Sequence, residues 1–213
     1  MAEKKISEEL QNAFSFFLKS VSNYYLEHER TFDLESFHGR FHILRCLCLA
    51  DSIINKYKEN AININVEKTF YAIMFHDSCR KDNGVDLWEE ESKQLCKREL
   101  ISINKTDIYA EETANLILKP IPFSIEGQIL YDVDVLDYHR FFWIPEEQNC
   151  FDNNKLLFCS YNDTVQLFNT SDRKAIIQLA RDLVRETQSV PIKISTCQLI
   201  ELITQLYLKY QPW

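Results

Sequence analysis

"FHGRFHILRCLCLADSII", residues 37–54, decides how the rest of this chain folds. From Phe41 to Ala50 every position is apolar except His42 and Arg45. His38, His42, Arg45 and Leu49 step by four, three and four, so they share one face of a helix. A helix this apolar is buried, and it carries an imidazole and a guanidinium in with it. Burying a charge without a partner costs several kcal/mol, so both groups must meet something inside.

Two further segments repeat the pattern. In "YAIMFHDSCRKDNG", residues 71–84, Tyr71, Ala72, Ile73, Met74 and Phe75 lead straight into His76 and Asp77. In "ILYDVDVLDYHRF", residues 129–141, Asp132, Asp134 and Asp137 interrupt another apolar helix. Asp134 and Asp137 lie three apart on one face, and Asp132 points elsewhere. Three apolar helices thus each import ionisable groups: His42, then His76 with Asp77, then Asp134 or a neighbour. One bound divalent cation answers all three costs, because it neutralises carboxylates and gives neutral imidazole nitrogens a partner. The plainer alternatives are hydrogen-bonded core histidines and a structural salt bridge from Arg45 to Asp77 or Asp134.

The remainder of the chain also reads as helix. Only 3 glycines and 5 prolines occur in 213 residues, and strand-type alternation is scarce. Residues 6–29 show helical spacing, with Leu10, Phe14, Phe17, Leu18, Val21 and Tyr25 on one stripe. Asp33 or Ser36 is the expected cap of the next helix, which runs to about Lys58. Further helices are expected over 64–77, 86–101, 106–118 and 124–141, with Lys119-Pro120-Ile121-Pro122 as a turn. Residues 143–170 read as a long irregular excursion containing a short hairpin. Two closing helices, 171–188 and 194–209, complete an all-α bundle in a single domain over residues 1–213.

The formal net charge is −8 and no long Lys/Arg block is present, which argues against binding a nucleic-acid duplex. The 7 cysteines form no CxxC pair, so neither a zinc ribbon nor a thioredoxin-like motif is present. Their apolar settings suit free thiols in a reducing compartment. No apolar run follows the basic residues of "MAEKKISEEL", and none elsewhere is long enough to span a bilayer. The expectation is a cytoplasmic protein without membrane contact.

The order His42, His76-Asp77, Asp134 resembles the metal signature of the HD-domain superfamily of helical, metal-dependent phosphohydrolases. The spacings, 34 residues from His42 to His76 and 57 from Asp77 to Asp134, fit that family. "HGRFHILRCLCLA" resembles its HGxxHxxR segment, "FHDSCRKDNGVD" the HDSxR run of one bacterial branch, and "DVDVLDYHR" that branch's DADxLD segment. The likeness covers about residues 35–141. It implies an HD-domain-like bundle in which His42, His76, Asp77 and Asp134 hold one divalent ion, Mn, Fe, Co, Ni, Zn or Mg. Where the branch carries a further histidine, this chain reads "VDLWEEESK", with Glu89 or Glu90 near the equivalent place.

The resemblance implies hydrolysis of a phosphomonoester or phosphodiester, including nucleotide-derived ones, by a metal-activated water. His38, Arg45 and Arg80 are the candidate catalytic side chains: His38 to orient substrate or shuttle a proton, the arginines to balance charge on phosphate oxygens. Against these stand a solvent-facing histidine at a helix start, a structural ion pair and a solvated loop cation. Trp143, Phe151 and Tyr161 in the excursion either wall a pocket or pack in the core. Two other functions remain: a catalytically degenerate scaffold that binds a protein partner, and a di-iron oxygenase, which needs ligands beyond these four.

Overall fold

Helical spacing in the N-terminal segment is realised as one continuous rod. In the computed structural model, which describes residues 4–31, 37–82, 84–85, 87–121, 124–138, 168–191 and 193–213, α1 (Glu8–Phe16) passes through a π-helical turn (Phe17–Val21) into α2 (Ser22–Thr31). Leu10, Phe14, Phe17, Val21 and Tyr25 are buried along it. Then come α3 (Arg40–Glu59), α4 (Val66–Phe75), α5 (Glu89–Ser102) and α6 (Asp107–Asn115), which tightens into a 3₁₀ turn (Leu116–Leu118). The chain continues with α7 (Ile125–Tyr138), α8 (Thr170–Thr187) and α9 (Thr196–Tyr210). No strand occurs among the described residues. The expected all-α bundle is what forms.

Caps set most of the starts. Ser7, Asn65 and Thr106 each accept a backbone N–H from the first turn of α1, α4 and α6. Asn169 with Asp172 and Ser195 with Gln198 make reciprocal capping boxes at α8 and α9.

The start of α3 works differently. The expected caps, Asp33 and Ser36, lie outside the described residues, and the helix begins at Arg40. Its first N–H donates to the Glu29 carboxylate, which reaches across from α2. The Arg40 side chain returns to the same carboxylate, Nε to Oε2 at 2.9 Å and Nη2 to Oε2 at 2.8 Å, and its Nη1 donates to Ile194 O at 3.1 Å and Thr196 Oγ1 at 2.9 Å. A carboxylate from a neighbouring helix thus performs capping that no local side chain supplies among the described residues. Gly39 is required for space: a Cβ there would lie 2.5 Å from Glu29 Cγ and Oε1.

Helix α3 is the axle of the bundle. It is buried without a break from Arg40 to Ile54 and packs against α1, α2, α4, α7, α8 and α9. Asp51 ties it outward: Ser7 donates to one oxygen, and Tyr207 Oη donates to the other at 2.9 Å. Burial pushes the Asp51 carboxyl up, and these hydroxyls offset part of that. Trp213 Nε1 donates to Ser52 O at 3.2 Å, so the C-terminal segment closes on the same helix.

The excursion at 143–170, with Trp143, Phe151 and Tyr161, lies outside the described residues up to 167. Of its last residues, Phe168 packs on Tyr57, ring centroids 5.7 Å apart, Asn169 caps α8 and Thr170 opens it. Cys46, Cys48, Cys79, Cys96 and Cys197 are free thiols. No described helix is long and apolar enough to cross a membrane.

Gly39→Ala is expected to displace Glu29 and lower stability by about 1–3 kcal/mol. Leu47→Ala, in the middle of the axle, costs about 2–5 kcal/mol. Urea unfolding of each variant against the parent measures both.

Candidate metal centre

His42 sits in the first turns of α3 and is aimed by α7. Its Nδ1 donates to Asp137 Oδ2 at 2.7 Å. Asp137 is gripped in turn by Arg45, Nε to Oδ1 at 2.6 Å and Nη2 to Oδ2 at 2.9 Å. Arg45 Nη1 donates to Thr187 Oγ1 at 3.1 Å, at the end of α8. The i, i+3 spacing of His42 and Arg45 brings both to one carboxylate. With its Nδ1 proton committed, His42 presents the Nε2 lone pair to the interior.

His76 follows the last residue of α4. Its Nδ1 lies 2.8 Å from Ile73 O. A carbonyl only accepts, so Nδ1 carries the proton and Nε2 the lone pair. The two Nε2 atoms face each other at 3.2 Å. Neither neutral ring can donate to the other, so the pair requires a positive charge between or beside them.

Two carboxylates converge on that point. Asp77 Oδ2 is 3.6 Å from both Nε2 atoms, and Asp134 Oδ1, from α7, is 3.6 Å from His42 and 3.7 Å from His76. His42, His76 and Asp77 each offer an atom within 4.8 Å of the others. Nitrogen and oxygen ligands about 2.0–2.2 Å from one ion stand roughly 3.0–3.5 Å apart, so the donor set fits a divalent cation. His42, Cys46 and Asp137 form a second such group. It lies behind His42, where Asp137 is already engaged by Arg45 and Cys46 Sγ is 3.6 Å from Val133 O, so it adds no separate site.

The charges respond to this crowding. Burial pushes the His76 imidazole down, but Asp77 and Asp134 outweigh it and carry the group up to about 9. Burial pushes the Asp77 carboxyl up, yet His76, His38 and His42 hold it well below the usual carboxylate range. Asp134 is held down likewise, by His76 and Lys119. When no ion is bound, a proton on His76 supplies the missing positive charge.

Exposure is uneven across the centre. The side chains of His42, His76 and Asp77 are at most 3% exposed, whereas Asp134 is 30% exposed. His38 stands near this rim, 14% exposed, with Nδ1 donating to Asp77 Oδ2 at 3.1 Å. Arg80 is buried rather than solvated: Nη1 donates to Asp77 Oδ1 at 3.4 Å, Nε to Asp82 O at 2.9 Å and Nη2 to Gly84 O. It braces the turn that presents Asp77. The Arg45 ion pair forms with Asp137, not with Asp77 or Asp134.

Lys119 was legible only as part of a turn, but its Nζ lies 3.2 Å from Asp134 Oδ2 and 3.3 Å from Glu89 Oε1. Burial lowers its proton affinity, and Asp134 and Glu89 more than restore it, so it stays an ammonium. Asp132 is also fully buried, on another face of α7. No family model, curated protein or solved structure matches the chain.

Asp137→Asn is expected to weaken divalent metal binding by about 10- to 100-fold, because His42 loses its orienting charge. Metal titration with a fluorescent competitor reads this out. His76 is raised from its ordinary 6.5 to about 9 in the folded chain, so its protonation stabilises the metal-free fold fully below pH 6.5 and is lost as pH rises through 9. Urea midpoints of the chelator-treated protein should fall across that window. Metal uptake at pH 7 should release a proton, seen as a buffer-dependent calorimetric enthalpy.

Proposed function

We propose that this chain is a metal-dependent phosphohydrolase of the HD-domain superfamily, acting on a phosphomonoester or phosphodiester, nucleotide-derived esters among them. One observation carries the reading: two imidazole nitrogens, from α3 and the turn after α4, stand 3.2 Å apart, and each lies 3.6–3.7 Å from an oxygen of Asp77 and of Asp134. They occur in the order of that family's signature, and Asp134 is the most exposed of the four. His42, His76, Asp77 and Asp134 would hold the ion. When bound, a divalent cation polarises a phosphoryl oxygen and lowers the pKa of a water beside it.

The chain's own residues do the rest. Asp137 and Arg45 fix the His42 ring, and the Ile73 carbonyl fixes His76. Arg80 and His38 grip the two oxygens of Asp77. In this reading both arginines are positioning residues, since Arg45 is engaged by Asp137 and the Thr187 hydroxyl and Arg80 by Asp77 and two backbone carbonyls. His38, at the rim, is the group placed to pass a proton to or from the reacting ester.

Metal analysis of the purified chain, with a panel of phosphate esters including nucleotides and a chromogenic diester, tests the reading. One tightly held ion per chain with ester turnover supports it. Two irons with dioxygen consumption, or no metal at all, refute it. Asp77→Ala should abolish stoichiometric metal while the far-ultraviolet circular dichroism stays helical. His38→Gln should leave metal content intact and lower kcat by about 10²- to 10⁴-fold.

A further inference from the structure

The Asp134 carboxylate divides its two oxygens. Oδ1 faces the imidazoles of His42 and His76, and Oδ2 takes the Lys119 ammonium at 3.2 Å. The same ammonium lies 3.3 Å from Glu89. One cation therefore bridges two carboxylates, one of which belongs to the ligand set of the centre. Two-metal hydrolytic sites place their second ion in this kind of relation to the first.

Lysine does not arrive there by default. Lys119 ends the 3₁₀ turn in the left-handed region, φ 50° and ψ 53°, a conformation that costs a side chain more than it costs glycine. Its side chain is 21% exposed beside the 30% of Asp134. The ammonium thus stands beside the most exposed carboxylate of the centre, whereas the Asp137 that backs His42 is fully buried. An ammonium has three donors, and Asp134 and Glu89 take two among the described residues, which leaves one for an incoming oxygen.

We propose that the Lys119 ammonium is the second cation of the centre, so that the site takes a single metal ion, and that it binds a phosphoryl oxygen of the substrate. This rests on the phosphohydrolase reading above. Glu89 is its positioning residue, holding the ammonium from the start of α5.

The experiment titrates inorganic phosphate by calorimetry into metal-loaded full-length chain, with metal stoichiometry measured in parallel on the parent, Lys119→Met and Lys119→Arg. The parent should hold one ion. Lys119→Met should also hold one, as tightly or more tightly because a repelling charge is gone, while phosphate affinity falls by about 10- to 100-fold. Lys119→Arg should recover most of that loss. Several results overturn the proposal: two ions in the parent, no phosphate binding to the loaded parent, unchanged phosphate affinity in Lys119→Met, or a parallel loss of metal and phosphate that marks a merely structural lysine. A parent that holds no stoichiometric ion sinks the phosphohydrolase reading itself. One ion with phosphate binding indifferent to residue 119 sinks only the role given to Lys119.

Discussion

Two imidazole nitrogens with their lone pairs turned toward each other across 3.2 Å form the constraint on which the architecture depends. Alone, that arrangement is repulsive, and two nearby carboxylates do not relieve it without a positive charge. Keeping it inside a bundle requires α3, α4 and α7 to hold fixed crossings, and these three helices pack pairwise on one another. The apolar bulk of Ile43, Leu44, Leu47, Phe75, Val133 and Leu136 supplies the force that closes them. The polar centre then sits where closure drives it.

Around that centre each side chain has an outer partner. Asp137 and Arg45 stand behind His42, a backbone carbonyl behind His76, His38 and Arg80 about Asp77, and Lys119 with Glu89 beside Asp134. Buried ion pairs of this kind add little net stability, because desolvation consumes most of their attraction. What they fix is orientation. A ring held by a hydrogen bond at its far nitrogen has few orientations left.

Much of this was readable in the chain. The helices followed from 3.6-residue periodicity and from the scarcity of glycine and proline. His42, His76, Asp77 and the acids at 132, 134 and 137 stood out because each breaks an apolar run, where a polar residue must have a reason; the choice of Asp134 among the three came from the family resemblance. Asp137 was visible as a neighbour of Asp134 on the same face, but its service to His42 and Arg45 depends on how α7 crosses α3. Lys119 carried no such signal: beside two prolines it read as punctuation, and only tertiary packing brings the end of α6 against α5 and α7. The start of α3 was hidden for a similar reason, since its cap comes from Glu29 on another helix. Local sequence reports local preference, and these three features are set by residues distant in the chain.

The ties that run from the axle to the last two helices bear on how the molecule is made. Arg40 reaches residues 154 and 156 positions onward, Arg45 reaches 142, and Ser52 reaches 155. During synthesis α3 emerges well before α8 and α9, so its buried polar groups lack these partners until both later helices have been made. Such long loops must close before they are rewarded, which slows the last step of assembly. A fragment ending after α7 would hold every letter of the four-residue signature and still leave Arg45 without its threonine and Asp51 without its tyrosine.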